Sequence, residues 1–277
     1  MDIYAKKICV VTYTDAKYLD KAKKTIEDIR VNGQFFGDLV VMTDGLFKID
    51  PRYVMRMNLT IKEYPDIDTS ELIKKIRAHP FHDTDGRELT KLKQWNKFYV
   101  FDTYFKQWDF VLFVDAGLRI FDKIDFFYQQ FRENAIVAMD DGHPEFTKKF
   151  TSQIELSNIP IVDKLSSIYD INSSYFLNCI FLFDTCLIKR DTLSDTILIE
   201  QNTVLAEKST LSNLIDMMNE YPICKTNEMA IMNIYFHKSW IPMNIYLRNR
   251  ILFDWTERED NTWQQYVALK YPRTYNK

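Results

Sequence analysis

Phe110-Val-Leu-Phe-Val114 is a wholly apolar run that follows Trp108-Asp109 and ends on Asp115-Ala-Gly117. A strand covered by helices on both faces has no polar side to show, so this run reads as a buried parallel strand that carries Asp115 at its carboxyl end. In open α/β sheets the ligand crevice lies outside those ends. A carboxylate there is placed to hold a metal ion or a sugar hydroxyl. Asp before Ala-Gly is equally ordinary turn or cap chemistry, and the strand alone leaves both readings open. Upstream, Leu89-Thr-Lys-Leu-Lys-Gln-Trp95 opens an expected long helix whose apolar positions include Leu92, Trp95, Tyr99, Tyr104 and Trp108. Lys91 and Lys93 fall in its first turn, where the dipole and free amide groups favour an anion. Lys93 reads as a solvated surface lysine.

Toward the N-terminus, Ile8-Cys-Val-Val-Thr12 is a strand and Tyr13-Thr14-Asp15 the turn after it, with Thr14 or Asp15 as a helix cap. Leu19, Ala22, Ile26 and Ile29 recur at helical spacing until Gly33, and Leu39-Val-Val-Met42 is the next strand. This β-α-β opening turns the first strand's carboxyl end to the same crevice. The turn holds no G-x-G-x-x-G and the chain no P-loop, so dinucleotide dehydrogenase and nucleotide hydrolase readings lose their support. Tyr13 can hold a nucleotide, or it is a partly buried aromatic of the ordinary kind. Ile61 to Arg77 reads as a short strand and a helix. In His79-Pro-Phe-His82-Asp-Thr-Asp85, Pro80 breaks the spacing that would aim both rings at one ion, and the segment reads as a loop near the crevice.

Toward the C-terminus, Ile120 to Phe131 reads as a connection and an aromatic-rich helix, and Ala135-Ile-Val-Ala-Met139 as a buried strand ending in Asp140-Asp141-Gly142-His143. Those aspartates form one acidic pocket with Asp115 if the strands are neighbours; otherwise they are loop formers. Tyr175 to Phe183 is a strand whose one amide, Asn178, must be hydrogen-bonded when buried. Two helices are expected over Leu193 to Glu220, and Asn227-Glu228 opens another. A carboxylate in a first turn is also favoured by the helix dipole alone.

At 277 residues, 46% hydrophobic and 15% aromatic, the chain can bury a large core. A single domain over residues 1–277 is expected, with residues from about 240 onward as a C-terminal elaboration. A formal charge of −3 and a pI near 5.9 speak against a nucleic-acid or membrane-surface binder. No apolar run reaches the roughly 18 residues of a membrane span, and Met1 to Lys7 leads straight into a strand rather than a signal peptide. The four cysteines, Cys9, Cys179, Cys186 and Cys224, make no C-x-x-C pair. A soluble, cytoplasmic protein is the expectation.

These residues carry a resemblance. Leu89-Thr-Lys-Leu-Lys-Gln-Trp95 resembles the Leu-Thr-Lys-Leu-x-x-Trp stretch of glycogenin and its relatives, family 8-like members of the GT-A fold glycosyltransferases, and stands one helix before a strand ending in an Asp turn. In collinear order, Val11-Thr-Tyr-Thr14 resembles that family's first strand and nucleotide-binding turn, Phe113 to Gly117 its D-x-D, Leu177-Asn-Cys179 its Phe-Asn-Ser-Gly strand, and Asn227-Glu228 its Asp-Gln helix start. The resemblance implies an α/β GT-A-like (Rossmann-type) fold with a mixed, mostly parallel sheet flanked by helices. It implies transfer of a sugar from a nucleotide-diphosphate-sugar, with UDP as the nucleotide, to a hydroxyl of a glycan, protein or small-molecule acceptor.

Carried over by residue, Thr12, Tyr13, Thr14, Lys91, Asp115 and Asn178 would bind the donor. Asn227 and Glu228 would lie near the reacting carbon, with Asp140 and Asp141 as further catalytic candidates. Asp115 and Asp254 would hold Mn2+ or Mg2+, hard oxygen ligands for a hard ion. Two departures stand out. The second D-x-D carboxylate is Gly117, and no His-x-x-Gly-x-x-Lys occurs near the C-terminus. A nucleotide-sugar or glycan-binding module of the same fold, without catalysis, is the alternative. A nucleotidyltransferase would need a Gly-rich first loop that Tyr13-Thr-Asp-Ala-Lys17 does not resemble.

Overall fold

The computed structural model describes residues 6–78, 91–143, 146–191, 208–244, 250–253 and 268–270. In chain order its strands are β1 Ile8–Thr14, β2 Asp38–Thr43, β3 Leu59–Glu63, β4 Phe110–Val114, β5 Leu118–Ile120, β6 Ile136–Asp140, β7 Gly142–His143, β8 Phe146–Thr147, β9 Phe176–Asp184, β10 Trp240–Pro242, β11 Ile251–Phe253 and β12 Ala268–Lys270. Seven of them form one sheet in the order β10-β6-β9-β4-β1-β2-β3. Every pairing in it is parallel except those of β9, which runs against β4 and β6 on either side. The sheet is therefore mixed and mostly parallel, as the resemblance implied.

Alternation along the strands sends side chains to two cores. Cys9, Val11, Phe113, Phe181 and Phe183 pack on one face with the helix Glu228–Phe236 and the segment Leu92–Phe101. Val10, Leu112, Val114, Ile180 and Leu182 pack on the other with the helix Leu19–Val31. Burying both faces is why β4 shows no polar position.

The expected long helix after Lys91 is instead two 3-10 segments, Leu92–Phe101 and Thr103–Gln107. Asp102 separates them, because its side chain accepts from Tyr104 N at 2.8 Å and caps the second segment. The apolar residues Leu92, Trp95, Phe98 and Phe101 recur every three positions, which matches a helix of about 3.0 residues per turn better than one of about 3.6. Ile124–Gln130 is likewise a 3-10 segment, and part of the expected connection before it is β5, which pairs antiparallel with β12.

The antiparallel course of β9 positions the site. Its amino-terminal half lies at the carboxyl ends of β4 and β6, and Asp115 N donates to Cys179 O at 2.8 Å, which sets Asp115 next to Asn178. The helix Glu228–Phe236 is buried nearly all round. Asn233 locks it to β9: its Oδ1 accepts from Phe176 N at 2.8 Å and its Nδ2 donates to Phe176 O at 2.9 Å. Among the described residues no helix is long and apolar enough to cross a membrane.

Candidate functional site

Asp115, Asn178 and Glu228, residues far apart in sequence, meet around Lys97. The Lys97 ammonium lies 3.0 Å from Asp115 Oδ1 and 2.9 Å from Glu228 Oε1, and it donates to Asn178 O at 3.2 Å. Asn178 Nδ2 donates to the same Glu228 oxygen at 3.1 Å. The Lys97 side chain is only 7% exposed and its nitrogen stands 5.2 Å from the centre of the Phe113 ring. Burial works against its charge, but the two carboxylates outweigh burial and hold the Lys97 pKa above the ordinary lysine value.

The 3-10 geometry produces this meeting. With three residues per turn, Lys91, Gln94 and Lys97 form one column. The column faces the start of the helix Glu228–Phe236: Asn227 Nδ2 donates to Lys91 O at 3.4 Å and to Gln94 Oε1 at 3.1 Å, one turn from the Lys97–Glu228 pair. In an α-helix positions 91 and 97 would lie on different faces.

Three consecutive residues at this helix start keep buried polar atoms without a hydrogen-bond partner: Thr226 Oγ1, Asn227 Oδ1 and Glu228 Oε2. Thr12 Oγ1, at the end of β1, is a fourth. Asn227 also has φ +51 and ψ −125, a backbone conformation an L-residue adopts only under strain. Unsatisfied buried acceptors and strain at one place are the usual marks of a ligand site.

A second cluster lies beside Tyr13, whose hydroxyl accepts from Asn96 Nδ2 at 2.9 Å. Asn96 Nδ2 also donates to Asp66 at 2.6 Å, and Asn96 Oδ1 accepts from Ile67 N at 2.9 Å. Burial, reinforced by nearby Asp44, Asp15 and Asp66, pushes the Tyr13 phenol up despite the Asn96 bond, and it stays neutral. Lys93 is not a solvated lysine: it pairs with the buried Asp44 and lies 3.7 Å from Asp66. Thr14 Oγ1 donates to Asp15 O at 3.0 Å, and Asp15 caps the turn Ala16–Tyr18.

The acidic pair at the end of β6 does not adjoin Asp115 in the sheet, because β9 lies between β6 and β4. Asp140 sits opposite Phe176 at the end of β6. Asp141 accepts from the Tyr175 hydroxyl and from Lys148 at 3.3 Å, so it fastens the loop to β9. Asp254, the second expected metal ligand, lies outside the described residues, as does His79 to Asp85.

Among the described residues, the carboxylates that could hold a divalent ion at this site are already paired with a lysine. A divalent ion beside a diphosphate draws on one or two protein carboxylates and completes its shell with phosphate oxygens and water. Here one oxygen each of Asp115 and Glu228 is engaged by Lys97. Gly117 has φ +94, a conformation in which an aspartate would be strained. Among the described residues no group of three or more His, Cys, Asp and Glu could hold a metal.

No motif in the sequence marks Lys97, Gln94 or Asn96 as site residues. The available signal was the polar pair Asn96-Lys97 inside the apolar run Trp95 to Phe101.

No protein-family model and no curated protein matches the chain. Among solved structures, the bifunctional glycosyltransferase WbbM in its apo form matches at TM-score 0.55 and 13% identity, over 98% of this chain and 46% of that one. An active-site mutant of LgtC matches at TM-score 0.57 and 10% identity, over 95% of this chain and 86% of that one. The galactosyltransferase LgtC in complex with donor and acceptor sugar analogues matches at TM-score 0.55 and 10% identity, with the same coverage of 95% and 86%. The chain thus spans less than half the length of WbbM. At such identities the likeness is one of fold: the chain has the GT-A fold that these glycosyltransferases share.

Proposed function

We propose that the chain is a glycosyltransferase that moves a sugar from a nucleotide-diphosphate-sugar, with UDP as the nucleotide, to an acceptor hydroxyl. The observation that carries this reading is the pair of buried, unpartnered acceptors Asn227 Oδ1 and Glu228 Oε2, beside the Lys97–Asp115 ion pair at a sheet's carboxyl ends. Each such atom costs about 1–3 kcal/mol while unsatisfied. Sugar hydroxyls are the donors that would satisfy them.

In the transfer, the bond from the anomeric carbon to the diphosphate breaks, the acceptor oxygen bonds to that carbon, and the hydroxyl proton leaves. Glu228 is the group assigned to the reacting centre: its Oε1 is anchored by Lys97 and Asn178, and its Oε2 is left to meet the sugar. A carboxylate there stabilises positive charge developing at the anomeric carbon or takes the acceptor's proton. Asn227 orients a sugar hydroxyl, Asn178 holds Glu228 in place, Tyr13 with Thr12 and Thr14 meets the nucleotide, and Lys91 meets the diphosphate.

A screen of UDP- and GDP-sugars, each with manganese and with chelator, tests the reading by thermal shift and by released nucleotide. A donor at about 100 times its Kd should stabilise the fold by roughly 2.7 kcal/mol, and nucleotide should be released when acceptor is present. Stabilisation without release identifies a binding module. Neither effect with any donor overturns the reading.

A further inference from the structure

We propose that the Lys97 ammonium is the resident cation of this site, so that the nucleotide-sugar donor binds and reacts without a divalent metal ion. The proposal rests on the glycosyltransferase reading above and goes beyond it by removing the metal that the fold resemblance implies.

The first argument is saturation. An ammonium has three N–H donors, and Lys97 meets three oxygens, at 3.0 Å on Asp115, 2.9 Å on Glu228 and 3.2 Å on Asn178 O. Its stem is buried under Phe113, and withdrawing it would leave Glu228, itself buried, without its counter-ion. A dication drawing on Asp115 Oδ1 or Glu228 Oε1 would stand a few ångströms from the ammonium that holds them, and like charges that close repel strongly in a buried site.

The second argument comes from the other side of the crevice. At Gly117, the position of the missing carboxylate, the φ of +94 disfavours any side chain, and a Cβ there would stand 3.5 Å from Lys21 Cδ and 3.6 Å from Lys21 Cβ. The stem of a lysine therefore flanks the space where a second metal ligand would project. Gly117 N is also tied to Thr25 Oγ1 at 2.9 Å, which holds that backbone in place. Within the cluster the acidic groups are countered by Lys97. The diphosphate charge then falls to Lys91 and to amide groups of this chain.

The test uses the whole wild-type chain first. Calorimetric binding of the UDP-sugar found by the screen should give the same Kd, within about threefold, in EDTA and in manganese, and nucleotide release should persist in EDTA. Manganese titrated into the protein and followed by electron paramagnetic resonance should keep its free-ion signal. In Lys97→Met, donor affinity should fall by about tenfold or more, and manganese should recover part of it, an effect no purely structural lysine would produce. Should that variant not fold, the wild-type measurements decide alone. Donor binding that vanishes in EDTA and returns with manganese overturns this proposal and leaves the glycosyltransferase reading standing. Binding of no donor under either condition removes both.

Discussion

Asn178 Nδ2, on β9, donates to Glu228 Oε1, the first residue of a helix 50 positions later, at 3.1 Å. With Lys97 at 2.9 Å on the same oxygen, Glu228 has one oxygen anchored twice and the other, Oε2, buried with no partner. A carboxylate held in this way has a fixed direction and an unspent acceptor. The predictions below separate that role from ordinary structural ones.

Glu228→Gln keeps the shape and can keep the Asn178 contact, but it removes the charge. Turnover should fall by about two to four orders of magnitude, the range of an acid–base group, while calorimetric donor affinity stays near wild type. Wild-type turnover in the variant would leave Glu228 as a residue that merely starts a helix.

Asp115→Asn leaves Lys97 with Glu228 as its one carboxylate partner among the three oxygens it now meets. The fold should survive, since Asp115 N still donates to Cys179 O. Donor affinity should drop by about tenfold or more, as expected when a charged contact is lost. Unchanged affinity in a folded variant would return Asp115 to turn chemistry.

Lys97→Met strands two carboxylates, and breaking a buried pair in this way costs about 3–5 kcal/mol. The pH dependence has a definite sign. The folded pKa of Lys97 is raised above the ordinary value, so its contribution is complete below about pH 10.4 and is lost as pH rises through the higher folded value. Chemical denaturation of wild type and variant should therefore differ by a constant amount from neutral pH to about 10, and the gap should narrow only above that. A gap that closes in the neutral range would contradict the ion-pair assignment.

Asp141→Asn separates the two acidic candidates at the end of β6. Because Asp141 is taken by Tyr175 and Lys148, its variant should lose about 1–3 kcal/mol of stability, and Tyr175→Phe should behave alike. Turnover in both should stay within about tenfold of wild type, short of the loss a general acid or base would give. A loss of turnover as large as that of Glu228→Gln, at unchanged stability, would make Asp141 catalytic after all.

Much of the fold was legible without coordinates, for a local reason. The apolar run Phe110 to Val114, buried on both faces, announces a covered strand, and the lone polar groups at its end or inside its neighbours, Asp115 and Asn178, announce positions that need partners. Glu228 was marked by its place at a helix start. These are properties of short windows of sequence, where side-chain period and burial follow directly from residue type.

The partners themselves were not legible. Lys97 looked like any lysine on an expected α-helix, where it would face away from Lys91. A spacing of three rather than 3.6 residues turned Lys91, Gln94 and Lys97 into one column, and that choice was made by the packing of Trp95, Phe98 and Phe101 against the sheet. Lys93 acquired Asp44 and Asp66, which follow β2 and β3, through the order in which those strands lie beside β1. Asp140 and Asp141 were parted from Asp115 by a strand inserted between theirs. Residue type determined which side chains in this protein could carry charge or lack a partner. Sheet order, the reversed course of β9 and the pitch of one short helix decided which of them meet, because contacts between separate elements depend on register and direction that no local window contains.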